Sequence, residues 1–294
     1  MKNGLDFSKI YLFGFGGRAK HDVLPVLCKL FDLSKIEIYA SSSKKVNING
    51  VMKKIKSIDE FSENDILQGT LVFMSIPTLY QESLLSRFST VQNRIKHIFV
   101  DTPFISNVDF PNKITVMEDL PFSSLGKICE ALDYSDVRGM IFYRCLYRYH
   151  GIALLRCFDE KIVESSENIF KILGTKISFL KSKLLRFVLI SPRRYENGKI
   201  YLLTKKMNLR KLKMHVDIQS RKFYACNRVI DQYSEDEMSF LCDYSEKSGV
   251  ISYIDDFKRI GLYRLIAKTL FSDGVAYACS QAKEDLEVGD RWLL

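Results

Sequence analysis

A glycine-rich turn near the start of the chain constrains the fold more than any other feature. An apolar run, residues 10–13, ends at Gly14, where the sequence continues GFGGRA. This spacing fits GxGxx(G/A), in which the glycines allow a tight turn and close approach to a pyrophosphate and the last small residue allows close helix–strand packing. A helix beginning there offers N–H groups to phosphate. The candidate phosphate-binding residues are Gly14, Gly16, Gly17, Arg18 and Ala19. A glycine turn that serves packing alone is the alternative.

The rest of the first 120 residues alternates short apolar runs with amphipathic segments. Runs rich in β-branched and aromatic residues at 36–40, 71–76 and 97–100 predict strands, and the spacing of apolar residues over 23–31 predicts a helix. Pro25 predicts that this helix kinks there or restarts near Asp22. Because parallel strands need crossover connections, we predict an α/β chain whose residues 1–122 form a Rossmann domain with a doubly wound parallel sheet.

The sequence pattern changes after Phe122. Its predicted elements are a linking helix at 123–132, strands at 186–190, 200–203 and 211–219, and helices at 236–244 and 255–271. Asn197-Gly198 between the first two strands predicts a hairpin, because a type I′ turn needs positive φ at both central residues. Residues 123–294 are therefore predicted to form an α+β domain with a mostly antiparallel sheet, which binds substrate or another subunit.

The loop after the second predicted strand bears on which dinucleotide binds. An acidic residue there hydrogen-bonds a ribose 2′-hydroxyl, whereas a 2′-phosphate favours cations and hydroxyl groups. The loop consists of Ser41, Ser42, Ser43 and Lys44, followed by Lys45. We predict NADP as the cofactor, with NAD as the second choice. A surface turn of serines and lysines that has no cofactor role is the alternative.

The glycine turn and two later motifs resemble the glucose-fructose oxidoreductase/inositol dehydrogenase (Gfo/Idh/MocA) family. In that family the fourth strand runs into an apolar-then-proline turn beside the cofactor, and residues 73–78 (FMSIPT) are similar to it. The fifth strand runs into a Glu-Lys-Pro turn, and Asp101-Thr102-Pro103 occupies the equivalent place. The resemblance implies a Rossmann domain followed by a domain with an open, mostly antiparallel sheet. The cofactor-binding residues that it implies at this turn are Ser75, Ile76, Pro77, Thr78 and Gln81, with Pro77 and Thr78 bordering the nicotinamide.

The same resemblance implies an NADP-dependent oxidoreductase that transfers a hydride to or from carbon of a small polar substrate, a sugar or sugar derivative. The family lysine that hydrogen-bonds the reacting oxygen aligns with Thr102, and Asp101 stands where the family has glutamate. Because a threonine hydroxyl does not titrate near neutral pH, the proton must come from another group. His150 is the first choice, since imidazole titrates near neutrality, and Tyr149 is the second. Both residues could instead be structural.

Thr102 in place of lysine also motivates a function of another class. A cofactor-binding protein that has lost catalysis would serve as a regulator or assembly partner. An anion-binding or nucleic-acid-binding module is a third interpretation.

The positive charge of the chain is concentrated in one segment. The 294 residues include 44 Lys+Arg and 35 Asp+Glu, a net charge of +9, and residues 193–222 alone hold ten basic and two acidic residues. By default we interpret these charges as the solvent-exposed face of a sheet. The functional interpretation is a small-molecule anionic or polar substrate or an acidic partner. Nucleic acid is disfavoured because aromatic residues are not interleaved with the cations. In the Gfo/Idh/MocA family this sheet is commonly an oligomer interface, which implies a homodimer, although a positive face fits self-association poorly unless an acidic partner or ligand covers it.

Cysteine usage and hydropathy give expectations about the cellular environment. The seven cysteines include no CxxC pair, which predicts reduced thiols and no metal site. No apolar run approaches the ~18 residues that a membrane-spanning helix needs. We therefore expect a cytoplasmic protein that does not bind or cross a membrane.

Overall fold

The computed structural model describes residues 7–106, 108, 110, 113–131, 136–143, 148–156, 162–167, 177–182, 186–190, 199–248, 253–271 and 275–289. The chain divides into two compact units, each made of two stretches of chain. The first unit is Met1–Met117 with Leu265–Lys283, and the second is Glu118–Arg264 with Glu284–Leu294. The division of roles between residues 1–122 and 123–294 stays a prediction.

A seven-stranded sheet forms the frame of the first unit. Its strands are β1 (Ile10–Phe13), β2 (Ile36–Ala40), β3 (Lys44–Ile48), β4 (Val51–Ser57), β5 (Thr70–Met74), β6 (Ile95–Val100) and β7 (Ile114–Val116). They lie in the order β3-β4-β2-β1-β5-β6-β7, and every neighbouring pair is parallel except β3 and β4. The central strands β1 and β5 are buried along their whole length, as expected for a sheet covered on both faces. The predicted doubly wound parallel sheet is confirmed.

The first helix of this unit is interrupted as Pro25 predicts. A π-helical turn, Ala19–Val23, follows the glycine turn, and α1 (Leu24–Leu30) continues from it with Pro25 in its first turn. A proline has no N–H group and its ring clashes with the carbonyl four residues earlier, and the wider π turn accommodates both effects. The second helix, α2 (Thr78–Ser89), follows β5.

An aromatic cluster fills the core beneath the ends of β1 and β2. The rings of Phe13 and Tyr39 stack with centroids 5.4 Å apart, and Phe61 packs edge-on against both at 5.0 and 5.2 Å. Phe88 of α2 closes the cluster against Phe13. Aromatic pairs in these geometries add to the stability gained by burial. The cluster therefore fixes the two strand ends from which the glycine turn and the Ser41–Lys44 loop extend.

A hairpin joins β3 to β4, and the sequence analysis did not predict it. Asn49 and Gly50 have φ of 52° and 84°, and the Gly50 N–H donates to Asn47 Oδ1 at 2.8 Å. Both central residues thus adopt the left-handed conformation that a type I′ turn requires. The Asn-Gly signal was present in the sequence, and Lys44, expected in a loop, begins β3.

The second unit contains two sheets. Its strands are β8 (Val137–Tyr143), β9 (Ile162–Glu167), β10 (Ile177–Ser182), β11 (Arg186–Ile190), β12 (Lys199–Thr204), β13 (Leu209–Lys211), β14 (Met214–Asp217), β15 (Lys222–Ala225) and β16 (Arg228–Gln232). A six-stranded sheet has the order β13-β12-β8-β11-β10-β9, and a three-stranded sheet has the order β14-β15-β16. Among these described strands only β8 and β11 pair in parallel, so the predicted mostly antiparallel sheet is confirmed.

Five further α-helices are described: those at 124–130, 235–248 and 253–271 lie where helices are predicted, whereas those at 148–156 and 279–289 were not predicted. They are α3 (Ser124–Glu130), α4 (Arg148–Arg156), α5 (Glu235–Ser248), α6 (Tyr253–Phe271) and α7 (Cys279–Gly289). Within the described part of the chain, none of the helices is both long enough and apolar enough to cross a bilayer.

Two strand predictions for this unit are wrong. The strands β11 and β12 do not form a hairpin, because β8 lies between them and pairs with both. The Asn197-Gly198 turn itself lies outside the described residues. The strand predicted over 211–219 is also split, since β13 ends the six-stranded sheet while β14 belongs to the other one. Leu212, between the two strands, is buried, whereas Ile218 is exposed.

Candidate functional site

The glycine turn has the backbone geometry that its sequence predicts. Gly14 has a φ of +101°, and a Cβ atom there would lie 2.0 Å from the Ser75 carbonyl oxygen. Its N–H donates to the Tyr39 carbonyl at 2.8 Å, which ties the turn to β2. At Gly16 and Gly17, by contrast, an added Cβ would meet no heavy atom within 4 Å. The turn is therefore closed on its sheet side at Gly14 and open on its outer side at Gly16 and Gly17.

The helix that leaves the turn contributes a buried alanine and a partly exposed arginine. Ala19 is fully buried, which fits its expected role in close helix–strand packing. Arg18 Nη1 lies 3.0 Å from Asp22 Oδ2, and Arg18 Nε lies 3.4 Å from Asp101 Oδ1. This guanidinium, predicted to hold phosphate, thus lies between two carboxylates beside the open part of the turn.

Asp101 connects the turns that follow β1, β5 and β6. Its Oδ2 accepts a hydrogen bond from Ser75 Oγ at 2.8 Å, and its Oδ1 accepts one from the Thr102 N–H at 3.2 Å in addition to the Arg18 contact. The Asp101 N–H donates to the Met74 carbonyl. The structure therefore brings Arg18, Ser75, Asp101 and Thr102 together at the carboxyl edge of the sheet.

A buried glutamine joins the turns that follow β5 and β6. Gln81 of α2 is only 1% exposed, and its Nε2 donates to the carbonyls of Ile76 at 3.3 Å and Asp101 at 3.2 Å. Its Oε1 is buried and has no hydrogen-bond partner among the described residues. Pro77 precedes α2 and Thr78 begins it. Gln81 thus fixes both turns relative to each other.

Two lysines lie close to one aromatic ring of the glycine turn. The Nζ of Lys20 is 5.0 Å from the centroid of the Phe15 ring, and the Nζ of Lys44 is 5.1 Å from it. Cations within about 6 Å of an aromatic face are attracted to it. Phe15 therefore brings the exposed loop of Ser41, Ser42, Ser43 and Lys44 next to the turn and places positive charge there.

A carboxylate that the sequence analysis missed lies at the same loop. Glu60 accepts a hydrogen bond from Ser43 Oγ and another, at 3.0 Å, from the Ser57 N–H, and Lys54 Nζ lies 3.3 Å from its Oε2. The hydrogen bond from Ser43 and that from the Ser57 backbone lower the pKa of Glu60 to about 2. The sequence signal was the capping-box pattern Ser57-x-x-Glu60. Pairing of Ala40 with Ser57 across β2 and β4 then brings it to the loop.

The predicted acid, His150, lies on α4 in the second unit with a partner that was not predicted. Its Nδ1 is 2.8 and 2.9 Å from the two carboxylate oxygens of Glu118, which lies 32 residues earlier. The histidine is 7% exposed and the glutamate 1%. A carboxylate at Nδ1 fixes the ring orientation and favours the tautomer protonated there. Tyr149 also lies in α4, whereas Asp101 and Thr102 belong to the first unit.

The basic segment forms exposed surface in the second unit, as far as it is described. Lys205, Lys206, Arg210, Lys211, Lys213 and Arg221 are all exposed. On the outer face of the three-stranded sheet, the rings of His215 and Tyr224 stack 4.7 Å apart. Arg193 and Arg194 lie outside the described residues.

Comparisons with known proteins identify the fold. No protein-family model matches the sequence. A search of curated proteins found no significant relative. A solved dehydrogenase (MviM) from Clostridium difficile matches with a TM-score of 0.55 at 12% identity, covering 95% of this chain and 95% of that chain. A dehydrogenase from Chromobacterium violaceum matches with a TM-score of 0.51 at 12% identity, covering 97% of this chain and 99% of that one. The likeness shows a shared fold, with a Rossmann-like sheet and a second, mostly antiparallel one.

Proposed function

We propose that the chain is a nicotinamide-dinucleotide-dependent oxidoreductase of the Gfo/Idh/MocA type. The observation that carries the proposal is the glycine turn at the point where the strand order of the parallel sheet reverses. β2 lies on one side of β1 and β5 on the other, so Gly14 and Ser75 meet at this switch point. Dinucleotides bind in the crevice outside the carboxyl ends of the strands at such a point.

The residues at the turn fit a pyrophosphate. Gly14 cannot carry a side chain because of the Ser75 carbonyl, while the outer sides of Gly16 and Gly17 are open. The backbone of these two glycines would bind the pyrophosphate, and Arg18 would rotate toward it from its two carboxylates. A bound nicotinamide supplies or accepts the hydride, and the protein supplies orientation and control of the proton. Ile76, Pro77 and Thr78 would border the ring, with Gln81 holding their turn.

The charges around Phe15 support NADP as the preferred cofactor. Lys20 and Lys44 both lie near this ring beside the glycine turn, and Ser41, Ser42 and Ser43 of the adjoining loop are exposed residues. Cations and hydroxyl groups favour a 2′-phosphate. The Glu60 carboxylate at Ser43 favours the second choice, NAD, because a 2′-phosphate is repelled by it.

The proposed substrate is a small polar molecule, a sugar or sugar derivative, that undergoes oxidation or reduction at carbon. The Thr102 hydroxyl would hold the reacting oxygen, and Asp101 would keep the Thr102 backbone in place through its hydrogen bond. His150, with Tyr149 as the second choice, would donate or accept the proton. Glu118 would fix the orientation of the imidazole through its contacts with Nδ1.

A specific observation favours a second function, cofactor binding without turnover. The Asp101 carboxylate accepts hydrogen bonds from Arg18, Ser75 and the Thr102 N–H. His150 Nδ1 is hydrogen-bonded to the Glu118 carboxylate. Both titratable groups of the proposed site are thus engaged within the protein. A regulator or assembly partner that senses the cofactor would have this arrangement.

The experiment that separates the two functions measures binding first and turnover second. Titration with NADPH and NADH, followed by nicotinamide fluorescence, is expected to show saturable binding, and binding of neither would contradict both functions. Turnover is then followed at 340 nm with a panel of sugars, sugar phosphates and sugar nucleotides. Loss of turnover in Thr102→Ala and in His150→Gln, with cofactor binding retained, supports catalysis, whereas cofactor binding without turnover of any substrate supports the second function.

We also propose that the exposed cations of the second unit bind an anionic substrate or an acidic partner in the cytoplasm, with a homodimer as the expected assembly. Binding through such charges weakens as salt rises, because counterions screen exposed groups. Substrate KM measured between 50 and 300 mM NaCl should therefore rise for phosphorylated substrates and stay constant for neutral ones. A KM that does not change with salt concentration for either phosphorylated or neutral substrates would contradict this role.

A further inference from the structure

Two loops of the first unit meet at the carboxyl edge of the sheet beside the glycine turn. β2 and β4 are parallel neighbours, and Ala40 at the end of one pairs with Ser57 at the end of the other. The loop Ser41–Lys44 leaves β2, and a 3₁₀ helix, Ile58–Glu60, leaves β4. Glu60 therefore reaches the loop that is predicted to contact the ribose 2′ position, although it lies 17 residues from Ser43 in sequence.

The contacts of Glu60 exceed those of a helix cap. In the capping box, the Glu60 side chain accepts a hydrogen bond from the Ser57 N–H, and the Ser57 hydroxyl accepts one from a backbone N–H of the 3₁₀ helix. Ser43 is not part of this motif, yet its hydroxyl donates to Glu60 and accepts from the Ser57 N–H at 2.8 Å. These bonds place the carboxylate on the cofactor loop. They also occupy a serine hydroxyl that would otherwise be available to a phosphate.

We propose that Glu60 is a specificity-determining residue of the cofactor site, one that limits the preference for NADP over NAD. The inference rests on the proposed function, since it assigns the selectivity of that same site. The Glu60 carboxylate would accept a hydrogen bond from a ribose 2′-hydroxyl and would repel a 2′-phosphate. Lys44, which belongs to the loop that Glu60 contacts, would attract the phosphate. Lys54, whose Nζ lies 3.3 Å from Glu60 Oε2, partly neutralises the carboxylate. Cofactor choice thus depends on opposing charges from two neighbouring strand ends.

The substitution Glu60→Gln tests the charge without removing the cap. Glutamine serves in a capping box as glutamate does, so the Ser57 N–H keeps its acceptor. The Kd for NADPH should fall about tenfold and that for NADH should rise about threefold, because a like charge is removed from one ligand and an acceptor is weakened for the other. Asp59→Asn is the matched control, since it removes one negative charge from the adjacent residue. Asp59 contacts Ser57 but not Ser43.

A second variant changes selectivity in the opposite direction. Lys54→Gln leaves Glu60 without its neutralising ammonium group and should weaken NADPH binding about threefold while leaving NADH unchanged. An NADPH-to-NADH affinity ratio that stays within twofold of wild type in both Glu60→Gln and Lys54→Gln would overturn the proposal. An equal shift in Asp59→Asn would overturn it as well, because the effect would then be one of net charge. If wild-type protein binds neither cofactor, the proposed function itself fails.

Discussion

Each unit contains an arginine between two carboxylates, and the two arginines differ in how closely they are held. Arg264 Nε lies 2.5 Å from Glu237 Oε1, and its Nη1 lies 2.6 Å from Asp231 Oδ2. The corresponding distances at Arg18 are 3.0 and 3.4 Å. The side chains of the two arginines are almost equally exposed, at 24% for Arg18 and 20% for Arg264, so side-chain exposure does not distinguish them.

The surroundings of the two arginines explain the difference. Asp231, one partner of Arg264, also accepts from Ser124, and the Ser124 hydroxyl is hydrogen-bonded to Tyr233. Burial would lower the pKa of Arg264, but its hydrogen bonds to Glu237 and Asp231 outweigh burial and raise that pKa above its usual value. This network links α3, β16, α5 and α6, whereas Arg18 lies beside the open backbone of the glycine turn. The contacts hold Arg264 in a structural network, and we propose that Arg18 binds the cofactor.

The largest expected effect follows removal of the structural arginine. Arg264→Leu leaves Asp231 and Glu237 as buried carboxylates without their cation, which typically costs about 4 kcal/mol. Urea unfolding followed by circular dichroism should show this loss. A change below about 1 kcal/mol would remove the distinction between the two arginines.

The next effect concerns the turn that positions Arg18. Gly14→Ala places a Cβ against the Ser75 carbonyl at a φ of +101° and should cost about 3 kcal/mol of unfolding free energy. The same unfolding experiment measures it. Gly50→Ala is the control, because Gly50 also has a positive φ but its Cβ would meet no atom within 4 Å, so it should cost less. Equal losses in both variants would mean that the contact with Ser75 has no energetic weight.

The third prediction is that the stability of the first unit depends on pH through a buried histidine of its sheet. His97 of β6 is 8% exposed, its Nε2 lies 2.8 Å from Thr115 Oγ1, and burial together with Lys96 and Lys113 lowers its pKa to about 4. The unfolded chain therefore binds this proton more readily than the folded one, and stability falls as pH drops below the unfolded pKa of about 6.5. The loss between pH 7 and pH 5 should be about 2 kcal/mol.

Thermal unfolding at a series of pH values checks this expectation against a variant that cannot titrate there. His97→Gln retains an amide nitrogen near the position of Nε2 and should lose less stability than wild type over the same pH range. An identical pH dependence in wild type and variant would exclude His97 as the source.

The smallest effect on stability should come from replacing Arg18, which we propose binds the cofactor. Arg18→Leu breaks contacts that are long and partly exposed, so the unfolding free energy should change by no more than about 1 kcal/mol. NADPH affinity should fall about tenfold, equivalent to about 1.4 kcal/mol of binding free energy. Calorimetric titration measures the affinity, and an unchanged Kd would assign Arg18 to structure alone.

Local sequence patterns correctly predicted the structures that depend on interactions between residues close together in the chain. The glycine turn, the parallel strands and the interruption at Pro25 all follow from spacing and backbone constraints within a few residues. The Asn49-Gly50 hairpin has an equally local signal that was overlooked. The hairpin predicted between β11 and β12 was wrong because β8, more than 40 residues before β11 in sequence, inserts between them.

The contacts within the candidate site were less predictable because they join residues distant in sequence. Glu60 reaches Ser43 only through the parallel pairing of β2 with β4, and Glu118 reaches His150 across 32 residues. A capping pattern marked Glu60 as the end of a turn, but no local pattern indicated what else its carboxylate contacts. Asp101 was identified from the family resemblance, whereas its bonds to Arg18 and Ser75 required the structure.

We propose that the open side of the glycine turn binds a dinucleotide. Calorimetric titration of NADPH into wild-type protein and into the Gly16→Val variant tests this proposal most directly. A Cβ at Gly16 would meet no atom within 4 Å, so the variant should fold with nearly wild-type stability while its side chain blocks the approach of a pyrophosphate. We expect the Kd for NADPH to be at least about 100-fold weaker in the variant, equivalent to about 2.7 kcal/mol of binding free energy. Wild-type affinity in a folded Gly16→Val protein would contradict it.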